Sequence, residues 1–264
     1  MADPYLTLVA LRMRAQTTYR GSFAIEVVAS VGATVSGLLE IYVIFANVPV
    51  LGGLTFEAAL LVFALGHIAF SLADLVVGHL DTLPSYLRTG TLDAFLLRPL
   101  PVLVQLVTAD LSLRRLGRTA AGSVLAAVAL ARSDIRWDAA DVALVALTVC
   151  SGTAIFAALF VCAAAVQFWL VDGTEFTSSF TYGGNYAAQF PASVYGVPLR
   201  TLFTFVVPAA FAAYLPVLTL LGLPAPGGLP PWIGWCTPVA AAAVWVVALL
   251  GWRAGLRHYT GTGS

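Results

Sequence analysis

Residues 57–79 read EAALLVFALGHIAFSLADLVVGH, and the reading of this run decides the fold. Between Glu57 and Asp74 the only polar side chains are His67 and Ser71. A helix needs about 20 apolar residues to cross roughly 30 Å of hydrocarbon, and this run supplies them. The same test carried outward finds windows at about 22–47, 112–132, 142–170, 201–221 and 233–252. The third window is the weakest. Its uncharged run from Thr119 to Ala131 covers about two thirds of a bilayer at 1.5 Å per residue. Arg114, Arg115 and Arg118 are then expected to snorkel to one interface and Arg132 to the other. The fourth window is too long, so a tilt, or a bend near Ser151–Thr153, is expected.

Composition agrees with these windows. The chain has 264 residues, 60% hydrophobic and 10% charged, with a mean hydropathy of +0.92. So little polar surface cannot coat a soluble globule. The fold class is therefore all-α, a polytopic membrane protein with six transmembrane helices. All 13 bases are arginine. With the amino terminus placed in the cytosol, Arg12, Arg14, Arg20, Arg88, Arg98, Arg114, Arg115, Arg118, Arg200, Arg253 and Arg257 fall inside, while Arg132 and Arg136 fall outside. That bias predicts an N-in/C-in topology.

Residues 1–21 lack the basic start of a cleavable signal, so none is expected to be removed. Leu6, Val9 and Met13 at helical spacing, flanked by arginines, predict an amphipathic interfacial helix there. The expected organisation is a single domain over 1–264. The interfacial helix (1–21) and the first two spans (22–79) precede a cytoplasmic region at 80–111, and 112–264 carries the other four spans. A second long cytoplasmic connection is expected at 171–200, where Phe176, Phe180, Tyr182 and Tyr186 are read as interfacial ring packing rather than a drug site. The outer loop from Leu221 to Trp235 is broken by four prolines. It either dips into the outer leaflet or lies at the interface with Trp232 and Trp235 in the aromatic belt.

Much chemistry is missing. A phosphate-binding P-loop needs a lysine, and the chain has none. No GxSxG elbow, HExxH motif or cysteine–histidine metal spacing occurs, so neither catalytic nor metal residues are expected. Cys150, Cys162 and Cys236 read as packed thiols. No internal repeat of the kind found in two-halved transporters is evident. The ionisable residues inside the spans are the remaining functional candidates. Glu26 and Glu40 share a face of the first span with Ala33, beside the small pair Ala33 and Gly37. His67, Ser71 and Asp74 form one polar stripe at i, i+4 and i+7 on the second. The stripes read either as a proton relay of a secondary transporter using His67 and Asp74, or as cavity lining and helix glue. A polytopic enzyme or scaffold is a further alternative.

The cytoplasmic stretch GTLDAFLLRPLP, residues 90–101, has its own logic. Gly90 ends the preceding segment, Thr91 is read as an N-cap, and Asp93 lies in a first turn, where the helix dipole favours an acid. Arg98 sits at the carboxyl end and Pro99 stops the helix after about two turns. Leu92, Phe95 and Leu96 are expected to share one face. Either this helix docks a soluble partner, or it is a capped interfacial helix without one.

The sequence YLRTGTLDAFLLRPLPVL (86–103), the later YAAQFPASVYGVPLRTLFTFVVPAAFAAYLP (186–216) and the closing GLRHYTGTGS (255–264) resemble the membrane subunit of bacterial ABC-2 type exporters. The branch resembled is encoded beside a separate ATP-binding subunit and often a second permease. The resemblance implies an ABC-2, type V exporter-like fold in the bacterial inner membrane. Two permeases, as copies or relatives, would form the pathway, and cytoplasmic ATPases carrying ATP and Mg would drive it. It implies no cofactor on this chain, no nucleic-acid partner and no particular substrate. Residues 90–99 would be the coupling helix.

Overall fold

The computed structural model describes residues 20–109, 116–133, 135, 137–170, 174–190 and 196–260. The expected interfacial helix, but for its last two residues, lies outside them, as do Arg114, Arg115 and Arg136. Among the described residues the regular elements are helical, apart from an isolated bridge between Leu51 and Leu54. Among the described residues four helical stretches are long and apolar enough to cross a membrane: Val27–Asn47, Phe56–Arg88, Ala139–Val166 and Pro231–His258. The chain is thus a multi-pass, all-α membrane protein.

Helix α1 (Arg20–Asn47) is followed by α2 (Phe56–Val77), whose first turn is capped by Thr55 accepting from the Ala58 amide. Apolar all round but for one polar stripe, α2 forms the centre of the bundle, with 17 of its 22 residues buried. It continues through a 3₁₀ turn, Gly78–Thr82, into α3 (Leu83–Arg88), so helical structure runs unbroken for 33 residues. Two short helices follow, α4 (Leu92–Leu96) and α5 (Val102–Ala109). Helix α6 (Leu116–Arg132) is short, at 17 residues.

Helix α7 (Ala139–Val166) starts with a capping box. The Asp138 carboxylate accepts from the Asp141 amide at 2.7 Å, and Asp141 returns the bond to the Asp138 amide at 3.2 Å. The hydrogen-bonded helix is not interrupted at Ser151–Thr153; α7 is one helix of 28 residues. Gly152 serves close packing instead. A Cβ there would stand 2.7 Å from the Ala212 carbonyl oxygen and 3.0 Å from the Ala69 methyl. Phe70, Phe156, Phe160 and Tyr182 close the core below it, with edge-on contact of Phe70 and Phe156 at 5.3 Å.

Two stretches depart from expectation. Within the 171–200 connection, Thr174–Ala188 is a helix, α8, packed on α2 and α7. Its last carbonyl reaches Gly66, the middle of α2. The fifth window is not one helix. It runs as α9 (Val197–Thr201), a π turn at Leu202–Val206, α10 (Ala209–Ala212) and α11 (Tyr214–Leu220). Pro208 has no N–H to give and Val207 bonds back five residues to Leu202, so the ladder breaks there.

The proline-rich loop folds into two 3₁₀ turns, Pro226–Gly228 and Pro231–Cys236. Thr219 clamps it to α11, donating to the Pro231 carbonyl at 2.8 Å and accepting from the Gly234 amide at 3.1 Å. Trp232 and Trp235 stay exposed. Helix α12 (Thr237–His258) then packs along α7, where Gly251 and Gly255 give Ala165 and Phe168 room.

Candidate functional site

The first candidate region is the stretch after α3. Gly90 turns the chain in the left-handed region at φ +69°, as its place after α3 suggested. Thr91 stands at the N-cap position, but its side chain makes no capping bond: its backbone is already helical and its hydroxyl pairs with that of Thr89 at 2.8 Å. Asp93 does occupy the first turn. The helix is shorter than two turns, because after the Leu97 and Arg98 amides bond back to Asp93 and Phe95, Pro99 admits no further turn.

The expected face divides. Leu92 is fully buried and Phe95 packs edge-on against Tyr86 at 5.5 Å, but Leu96 points outward with Leu97, which is 87% exposed. Arg98 holds its guanidinium 5.8 Å from the Phe95 ring centre. The anchor that the sequence did not reveal is Gln105 on α5. Its amide donates to the carbonyls of Phe95 at 3.0 Å and Leu100 at 2.8 Å, tying both ends of the exposed turn to a buried side chain. Tyr86 is held in turn by His79 at 3.0 Å. The result is a rigid knob with Leu96, Leu97, Arg98 and Leu100 on its outer side.

The second region lies among the long helices. His67 shares a hydrogen bond of 3.0 Å with Thr34 of α1, and Phe63 stacks on its ring at 5.5 Å. Ser71 turns back to donate to the His67 carbonyl at 2.7 Å. Asp74, 3% exposed, pairs with Arg118 of α6 at 3.5 Å. Arg118 therefore ties α6 to α2 while its side chain stays 28% exposed. Gly122, one turn further, leaves space for the His67 ring. The stripe is real, but His67 Nε2 engages Thr34 and Asp74 engages Arg118, while His67 Nδ1 is buried without a hydrogen-bond partner and no hydrogen bond joins His67 to Asp74.

On α1 the small-residue face also divides. A Cβ on Gly37 would stand 3.0 Å from the Phe63 ring, so its close approach is made within the chain. Ala33 remains exposed, as does Glu40. Glu40 accepts a hydrogen bond from the Tyr186 hydroxyl of α8, and Tyr182, one turn earlier, donates to Asp81 at 2.9 Å. The sequence expectation was interfacial ring packing; Tyr182 instead packs on Phe70 and Phe160 of the core, and its hydrogen bond to a residue 101 positions away had no local signal.

An apolar cleft of about 450 Å³ opens beside the π turn, with Cys162 of α7, Thr204, Phe211 and Val244 of α12 among its walls. Neither curated proteins nor solved structures gave a match. A family profile described as ABC-2 family transporter protein matches residues 31–263, nearly the whole described chain. The multi-pass helical bundle and this match place the chain in the ABC-2 family of transporter proteins.

Proposed function

We propose that the chain is the permease subunit of an ATP-driven exporter in the bacterial inner membrane, working with a second permease copy or relative and with separate cytoplasmic ATPase subunits. The observation that carries the reading is the knob at Leu92–Leu100. An apolar and basic tip stands exposed on a turn that Gln105 and Tyr86 hold from within. A surface so built suits docking to a soluble partner. The absence of lysine leaves P-loop chemistry to that partner.

Helix directions support six crossings. Ala69 meets Gly152 and Leu80 lies with Ala163, so α2 and α7 run the same way. Ala165 meets Gly251 and Phe168 meets Gly255, so α7 and α12 do too. Between each parallel pair the chain must return across the slab, through α6 in one case and through 174–220 in the other. Combined with the arginine bias, this supports a reading in which both termini and residues 80–111 face the cytosol.

The test is purification from native membranes. A P-loop protein should accompany the chain, and its absence would sink the proposal. Replacing Asp93 or Arg98 by alanine, or Phe95 by aspartate, should leave membrane insertion intact yet loosen ATPase docking or uncouple hydrolysis. Unaltered co-purification and transport in all three variants would reduce the knob to a packed turn. Gly37 does not serve as a probe of the second permease, since leucine there would collide with Phe63 inside the chain.

A further inference from the structure

Helix α1 has two exposed faces of opposite character. Val28, Val31, Val35 and Leu39 form an apolar one. Ala33, Ser36, Glu40 and Asn47, also exposed, form a small and polar one about a third of a turn away. The first suits lipid, as do Ile25 and Val43 at the two ends of the second, but the middle of the second, from Ala33 to Glu40, does not. Glu40 lies three residues past Gly37, the midpoint of the Val27–Asn47 span, which sets it about 5 Å from the span centre. A carboxylate there is costly against hydrocarbon and belongs beside water or protein.

The polar face continues onto α8. Tyr186, 51% exposed, donates to Glu40, and Tyr182, 40% exposed, donates to Asp81 beyond the far end of α2. Tyr182 and Tyr186 lie one turn apart, so the two pairs form a ladder from the end of α2 to the mid-depth of α1. Helix α8 contains no base and α1 only Arg20, at its first position. We infer that this ladder, continued over Ser36 and Ala33, is the wetted wall of the substrate pathway, facing the second permease, and that it selects solutes carrying positive charge. The carboxylates attract such solutes and repel anions, and the phenol rings offer cations a favourable face. The inference deepens the permease reading and rests on it.

The experiment uses the assembled complex in open membrane fragments, so that reagent reaches both sides. With Cys150, Cys162 and Cys236 replaced by serine, single cysteines are placed at Ser36, at Val35 and at Trp232 in the outer loop. Each is treated with a cationic trimethylammonium or an anionic sulfonate methanethiosulfonate. Ser36→Cys should react with the cation about tenfold faster than with the anion, after correction by Trp232→Cys. Adding Glu40→Gln should bring that ratio close to one. Val35→Cys, at the same depth on the apolar face, should stay unreactive.

The inference is overturned if Ser36→Cys is as inert as Val35→Cys, including the case where it oxidises to a disulfide with a second copy across a dry contact. It is equally overturned if Glu40→Gln leaves the ratio unchanged. Ala33→Cys provides a second reporter should Ser36→Cys fail to assemble. Loss of the permease reading shows separately, as absence of a co-purifying P-loop protein whichever thiols react.

Discussion

Gln105 illustrates how much one side chain can organise. Its two hydrogen bonds hold both flanks of the exposed turn, and replacement by leucine strands the carbonyls of Phe95 and Leu100. The expected cost is about 1–3 kcal/mol, confined to the knob. Hydrogen exchange should therefore quicken at residues 92–101 while α2 and α7 stay protected; unchanged exchange would deny Gln105 this role. Asp74 and Arg118 present a different case, because both carry charge and Arg118 is 28% exposed. Asp74→Asn should lower stability in detergent by about 3 kcal/mol, the low end for breaking a buried pair. Asp74→Asn with Arg118→Gln should cost less than the two single changes summed. Strict additivity in thermal unfolding would show that the two side chains do not interact. Each of these residues could be seen in the sequence as an anomaly in an apolar run. Their partners could not, since Arg118 lies 44 positions from Asp74 and the bonds of Gln105 go to backbone atoms, which leave no trace in residue type.

The long elements were legible where hydrophobicity is continuous, and α1, α2, α7 and α12 fall close to their windows. The shorter ones were not. Helix α8 is rich in Thr, Ser, Gly and Tyr, so its composition resembles a solvated loop, and only its packing on α2 and α7 makes it a helix. In the fifth window Pro208 was visible, but uninterrupted hydropathy concealed the break it causes. The neighbouring α10 shows what that break allows, for the Ala212 carbonyl comes against Gly152 at a distance no side chain tolerates. Gly152→Ala should consequently push α10 from α7 and cost about 1–3 kcal/mol. A melting temperature equal to that of the parent would mean the contact yields without cost.

For the molecule as a whole, the arginine bias and the parallel run of α2, α7 and α12 point to the same topology by unrelated arguments, one electrostatic and one geometric. Single cysteines at Thr89 and Ser179, in a chain freed of its own three, should be protected from an impermeant thiol reagent in intact cells. One at Trp232 should react. Labelling of Thr89 from outside would reverse the orientation and take the knob away from any cytoplasmic partner. With the orientation as proposed, the unbroken helical run from Phe56 to Arg88 acquires a mechanical meaning. It is roughly 50 Å long, against about 30 Å of hydrocarbon. Pivoted at Gly66, where Ala188 and Ala213 bear on it, its lower arm measures roughly 33 Å, so a swing of about 10° carries Arg88 through roughly 6 Å. A rotation of that size would be read at the knob as about one helical turn of travel, a gain set by the length of the helical run.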